Sequence, residues 1–243
     1  LDSAIGPDVI EIPDTFFVGT DVLYEFMLMN KLEDYMNQKY LPISEIRTEH
    51  PGVIESFRKG KMPDYIVLQL KEVLASLGDS PLIVRSSSLL EDSFGSSFAG
   101  KYHSFFCPNQ GTPEENLADV LDAIKQTYAS TLSPDALLYR RKHNLIDYDE
   151  RMAVMIQRVT GTQHGRYYYP DVAGLAFSNN PYLWNEEIRE EDGLLRIVAG
   201  LGTRAVERIS QDYPRLVALS DPTLRPEKTH QEQRRYSQRF IAV

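Results

Sequence analysis

Apolar residues recur at three- and four-residue steps through Val22, Leu23, Phe26, Met29, Leu32 and Met36, which predicts a helix capped by Thr20 or Asp21. The short run from Ile12 to Val18 just before it, Ile-Pro-Asp-Thr-Phe-Phe-Val, has the character of a strand. Ile66, Leu70, Val73, Leu74 and Leu77 form a second helical stripe, with Pro63 in the first turn and Gly78 past the end. Leu82-Ile83-Val84 is too short for a helix and is bounded by Pro81 and a serine cluster, so it predicts a buried strand. Lys101 to Cys107, with its large apolar residues, predicts another. Thr112-Pro113-Glu114-Glu115 spells a capping box ahead of Leu117, Val120, Leu121, Ile124 and Tyr128, and Ser133-Pro134 opens a further helix through His143. From Met152 the period changes to that of strands: Met152 to Val159, Val172 to Phe177, Leu194 to Val198 and Leu216 to Leu219, with loops of Gly, Asn and Pro between them.

Helices dominate the first part and strands the second, an order that fits an α+β protein of two lobes and not a regular βαβ alternation. The boundary is expected near Tyr148 to Arg151, with a helix-rich lobe at residues 1–150 and a strand-rich lobe at 151–243. No internal repeat or low-complexity tract interrupts either. A chain of 243 residues, 42% hydrophobic and 25% charged, has enough apolar surface to bury a core and is not a disordered composition. Its net charge of −9 argues against nucleic acid as a partner. No run approaches the roughly 18 apolar residues of a membrane span, so no membrane partner is expected. The single cysteine, Cys107, in an aromatic stretch, suits a small buried hydrophobe in a reducing compartment, and a cytoplasmic location is expected. The first residue is Leu1 and not Met, which suggests a fragment or a processed piece. Charge is uneven: residues 1–80 carry 14 acidic and 7 basic side chains, residues 201–243 carry 5 and 8.

The densest chemistry lies between Val84 and Lys101. An arginine at the exit of a buried strand, Arg85, has a rigid support, and its guanidinium fork suits phosphate oxygens. The Ser- and Gly-rich run behind it supplies hydroxyls and approachable backbone amides, which a polyphosphate needs. Residue types alone equally allow Arg85 to pair with Glu91 or Asp92. Gly95 to Lys101 matches G-x-x-x-x-G-K, but Tyr102 stands where a P-loop needs Ser or Thr, and no helix follows. Ala153 to Val159 is an apolar strand ending in polar side chains, able to border a purine, although a Met- and Ile-rich strand is more often plain core. Asp171 to Pro181 and Val198 to Arg204 are strands running into small-residue turns. The five histidines, His50, His103, His143, His164 and His230, have no metal-pair spacing.

In this order the segments resemble the nucleotide-binding domain of the phosphoenolpyruvate synthase and pyruvate phosphate dikinase family, a member of the ATP-grasp group. Val84-Arg85-Ser86-Ser87 with Glu91-Asp92 and Ser97-Phe98-Ala99-Gly100 is similar to the family's phosphate segment. Ile156-Gln157-Arg158-Val159 is similar to its adenine strand, Gly174 to Pro181 to its G-V-A-F-T-x-N-P, and Gly200-Leu201-Gly202 to its G-L-G-E. The resemblance implies an ATP-grasp-like fold of two α+β lobes with ATP between them, and ATP and Mg2+ as ligands. It also implies transfer of ATP phosphates to a phosphohistidine carrier domain and on to pyruvate at another domain. Arg85, with Ser86, would contact phosphates; Ser96, Ser97, Phe98, Ala99 and Gly100 would close over them. Gln157, Arg158 and Val159 would border adenine, with Gly200 and Gly202 contributing to the nucleotide site.

The family's glycine-rich lysine segment should precede Ile12-Pro13 and is not spelled there, and its magnesium-binding acidic pair should follow the last matched segment. Thr203 stands at the glutamate after Gly-Leu-Gly, and Val159 at the hinge methionine. A nucleotide domain incomplete at both ends, inactive when isolated, is therefore expected. A nucleotide-sensing module, a phosphotransferase for a drug or glucan acceptor, and a docking helix at Arg225 to Arg239 are the other readings.

Overall fold

Thr112 accepts a hydrogen bond from the Glu115 amide at 3.3 Å while the Glu115 carboxylate accepts from the Thr112 amide at 2.8 Å. This reciprocal pair satisfies two donors that a helix start leaves orphaned, and it begins α4 (Pro113–Ser130), the longest helix among the described residues. The computed structural model describes residues 11–91, 101–202, 205, 213–234, 238, 240 and 241. Contacts divide the chain into two units, Leu1–Val159 and Thr160–Val243.

The first unit holds β1 (Thr15–Val18), α1 (Thr20–Asn30), α2 (Ile43–Lys59), α3 (Asp64–Leu77), β2 (Leu82–Ser88), β3 (Phe105–Cys107), α4 (Pro113–Ser130), α5 (Pro134–Lys142) and β4 (Met152–Arg158), with a 3-10 helix at Glu33–Tyr40. Helix α1 stops earlier than its apolar period suggests. Lys31 turns left-handed at φ 56°, and the Leu32 and Lys31 amides donate to the Met27 and Leu28 carbonyls at 2.9 and 3.3 Å. That is a Schellman turn, which stops the helix and folds Leu32 back into the core. Helix α2 has no counterpart in the sequence expectation, because Pro51-Gly52 has the look of a break. The proline is inside the helix all the same, and Ile46, Val53 and Phe57 are buried from one stripe.

The sheet order is β1-β4-β2-β3, and every pair is antiparallel. Pleating sends Leu82, Val84, Met152, Val154 and Ile156 to one face, where each is fully buried. Helix α4 packs beneath β2, β3 and β4, and α1 beneath β4. Phe26 of α1 sits at the centre, its ring centroid 5.8 Å from that of Phe57 and 5.9 Å from that of Tyr128. Each such buried side chain contributes about 1.5–3 kcal/mol. Strand β4 is expected to open a second lobe at residue 151; it pairs instead between β1 and β2, and the contacts divide the chain after Val159.

The second unit has a hairpin of β5 (Thr162–His164) and β6 (Tyr167–Tyr169), and a sheet of β7 (Val172–Phe177), β8 (Leu194–Ala199) and β9 (Arg215–Ala218) in that order, with a short α6 (His230–Gln233). Gly174 allows β7 to lie against β8: a Cβ there would fall 2.1 Å from the Arg196 carbonyl oxygen. The expected docking helix at Arg225 to Arg239 is represented among the described residues by α6 alone, four residues capped by Thr229. Together the units are an α+β protein. No helix among the described residues is long and apolar enough to cross a membrane.

Candidate functional site

One face of the first sheet carries the helices; the other carries Arg85. Opposite residues of an antiparallel pair share a face, and Arg85 stands across from Met155, which in turn stands across from Phe17. One step along, Ile83 faces Gln157 and Phe106, and Gln157 faces Thr15. Arg85 and Gln157 therefore project from the same face, on neighbouring strands, with apolar side chains around them. Phe17 is 65% exposed and Phe106 44% exposed, so this face is open.

The electrostatics of Arg85 follow from that position. Among the described residues no hydrogen bond or ion pair engages its guanidinium, and Glu91, one of its two candidate partners, takes a hydrogen bond from the Ser86 hydroxyl at 3.0 Å. Asp92 lies outside the described residues. A strand-mounted cation with no anion among the described residues is an available phosphate ligand.

Gln157 is held more firmly. The Thr15 hydroxyl donates to the Pro13 carbonyl at 2.8 Å, so its oxygen accepts from the Gln157 Nε2 at 2.9 Å. With the amide nitrogen engaged there, Oε1 is the atom left to accept from a ligand. Flat apolar surface beside one oriented acceptor suits an adenine ring and its exocyclic amine.

Other sequence-derived candidates fall elsewhere. Ser86 points to the helix-covered face, since successive strand residues alternate, and its proton is used on Glu91. Ser87, which was not singled out, shares the face of Arg85. Arg158 alternates away from Gln157 and pairs with Glu11 and, at 3.7 Å, with Asp14. Val159 is buried, and its amide donates to the Pro81 carbonyl at 2.8 Å. Gly200 and Gly202 belong to the second unit, left-handed at φ 86° and 85°. Ser96, Ser97, Phe98, Ala99 and Gly100 lie outside the described residues, as does most of the G-x-x-x-x-G-K match. Cys107 is buried and its thiol is pushed up to about 11, chiefly by burial.

Thr15, Phe17 and Met155 were missed as site residues because their signal is relational. Alternation on each strand gives a face, but only the register between strands shows that the three share it with Arg85. Among the described residues no group of three or more His, Cys, Asp or Glu could hold a metal ion.

The phosphoenolpyruvate synthase of Deinococcus radiodurans is 26% identical over 178 residues, covering 70% of this chain and 21% of its own. The rifampicin phosphotransferase of Streptomyces sviceus is 26% identical over 189 residues, 75% of this chain and 20% of its own. An uncharacterized phosphotransferase of Bacillus subtilis, YvkC, is 27% identical over 193 residues, 79% of this chain and 19% of its own. The chain thus spans about a fifth of the length of the curated relatives it matches. The model of the pyruvate phosphate dikinase AMP/ATP-binding domain matches residues 2–241, and the chain belongs to that family.

Proposed function

We propose that ATP binds on the open face of the first sheet, with its phosphates at Arg85 and its base toward Gln157. The parent protein is then a phosphotransferase like phosphoenolpyruvate synthase or pyruvate phosphate dikinase. It passes ATP phosphates to a carrier histidine on a separate domain, with pyruvate as the final acceptor. The observation that carries the reading is the Arg85 guanidinium, unpaired among the described residues, on a rigid strand beside the Gln157 amide and apolar side chains. An ATP-grasp-like fold, and a cytoplasmic location, go with the same reading.

What these residues do is positional and electrostatic, which is most of what phosphoryl transfer requires of a protein. Arg85 offsets phosphate charge and fixes the chain of phosphates relative to the strand. Phe17 and Met155 keep water from one side of the base, and Gln157 Oε1 accepts from the adenine amine. Magnesium enters as part of the substrate, held by phosphate oxygens, as it commonly is in such sites.

A different acceptor is the second reading, favoured by the two rifampicin phosphotransferases among the relatives. The whole parent protein, incubated with ATP and either pyruvate or rifampicin, separates the two by which product acquires phosphate.

Thermal unfolding with and without magnesium and a non-hydrolysable ATP analogue tests the site. Ligand at ~100 times its Kd adds about 2.7 kcal/mol, a rise on the order of 5–10 °C. Arg85→Ala is expected to abolish the rise; a full rise in that variant sinks the assignment.

A further inference from the structure

Glu150 lies two residues before β4 and is 5% exposed, with both carboxylate oxygens shut off from solvent. Among the described residues no hydrogen bond of full geometry reaches either oxygen, although the Ser88 and Tyr102 hydroxyls act on the carboxyl as weaker donors. The groups that face it are the Ser88 and Tyr102 hydroxyls and the Arg140 guanidinium, with the Asp149 carboxylate close behind. Burial outweighs the three favourable neighbours, and the carboxyl is pushed above its ordinary range. A buried acid so loosely satisfied costs stability, and such groups call for an explanation.

The neighbours come from places that matter to nucleotide binding. Ser88 is the last residue of β2, three positions beyond Arg85, and stands across from Met152. Its hydroxyl also accepts from the Leu90 amide at 3.1 Å. Tyr102 is buried and is the second described residue after segment 92–100. The negative charge of Glu91, which Ser86 engages, acts on the Tyr102 hydroxyl, as does that of Glu150. Arg140 is 2% exposed and donates to the carbonyls of Leu145, Ile146 and Tyr148 at 3.2, 3.3 and 2.6 Å. Glu150 is thus the acid at which the end of the Arg85 strand, the chain at Tyr102 and a buried cation meet.

We propose that Glu150 is a positioning residue for nucleotide binding, fixing the β2 exit and Tyr102 so that Arg85 is held in register for phosphate. The inference rests on the reading of Arg85 as the phosphate contact. A purely structural Glu150 would make affinity follow stability, whereas a positioning Glu150 separates them. Replacing a poorly satisfied buried acid with an apolar side chain of similar volume is often neutral or stabilising, yet here it removes the polar anchor.

The test is calorimetric binding of a magnesium-loaded, non-hydrolysable ATP analogue to the full chain, with melting temperatures measured alongside. Glu150→Met is expected to melt at or above the wild type but bind ~10-fold more weakly, while Glu150→Gln, which keeps an acceptor for both hydroxyls, stays within about threefold. Wild-type affinity in Glu150→Met, with binding lost in Arg85→Ala, overturns the positioning role and leaves the nucleotide site standing. Wild-type affinity in Arg85→Ala overturns the site itself, and the inference with it. If Glu150→Met does not fold, Tyr102→Phe reads the same link from the other side: weaker binding at unchanged melting supports it, and unchanged binding overturns it.

Discussion

Gln157 donates to Thr15 across 142 positions of sequence, at 2.9 Å. The contact does more than close the β1–β4 ladder, because Thr15 has already spent its proton on Pro13 and so holds the amide by its nitrogen, leaving the Gln157 carbonyl as its one acceptor and the second N–H as a spare donor.

That orientation has a consequence for base choice. On the proposed reading the Gln157 carbonyl accepts from the amino group of adenine and would repel the carbonyl of guanine. Gln157→Ala is expected to weaken an ATP analogue by about 1–2 kcal/mol, the value of one good hydrogen bond, and to leave the GTP analogue unchanged or slightly tighter. Competition binding with the two analogues measures it; equal losses for both would show that Gln157 does not read the base.

Glu150 should leave a signature in the pH dependence of stability. Its folded value is raised above the unfolded one, so its favourable contribution is complete below the unfolded value near 4.5 and is lost as pH rises through the folded value. Asp149, held low mainly by the Tyr24 hydroxyl and Arg151, acts in the opposite sense, so the comparison must be made against a single variant. The melting temperature of Glu150→Gln minus that of the wild type is expected to grow between pH 4 and 8. A constant difference would mean that Glu150 ionises as freely as in the unfolded chain.

Gly174 is the position where β7 has no room for a side chain. With a Cβ 2.1 Å from the Arg196 oxygen, Gly174→Ala must push the β7–β8 ladder apart. The expected cost is about 1–3 kcal/mol, seen as faster proteolysis or amide exchange within residues 172–199. Unaltered exchange there would contradict the close approach.

Phe26 tests the first unit's core. Fully buried and in ring contact with Phe57 and Tyr128, its replacement by Ala is expected to cost about 3–5 kcal/mol. Chemical denaturation gives the value directly, and a loss below about 1 kcal/mol would place Phe26 outside the cooperative core.

Much of this was legible from sequence where one local signal dominates. The caps at Thr112 and Ser133 announce α4 and α5, and Leu82 to Val84 is recognisable as a buried strand. Helix α2 was hidden by Pro51-Gly52, since local chemistry suggests a break while the tertiary stripe of Ile46, Val53 and Phe57 holds the helix together. The candidate site was legible as a set of segments but not as a surface. Arg85 and Gln157 meet on one face, whereas Ser86 and Arg158, each a single residue away, turn to the other because a strand reverses direction at every step. Glu150 carries no sequence signal: an acid in Asp147-Tyr148-Asp149-Glu150 has the look of solvated loop until Ser88, Tyr102 and Arg140 are seen around it.

The strand order also sets a timetable for synthesis. Strand β4 lies between β1 and β2, so when β1 leaves the ribosome the partner that completes its ladder has not been made. Thr15 and Gln157 are 142 positions apart, and at ~5–20 residues per second the nascent chain carries β1 unpaired for roughly 7–28 s. Helices α1 to α5 can form in that interval, but the surface on which nucleotide would rest exists only once β4 slides in as the last strand. Ligand can therefore stabilise the finished sheet and cannot assist its early assembly.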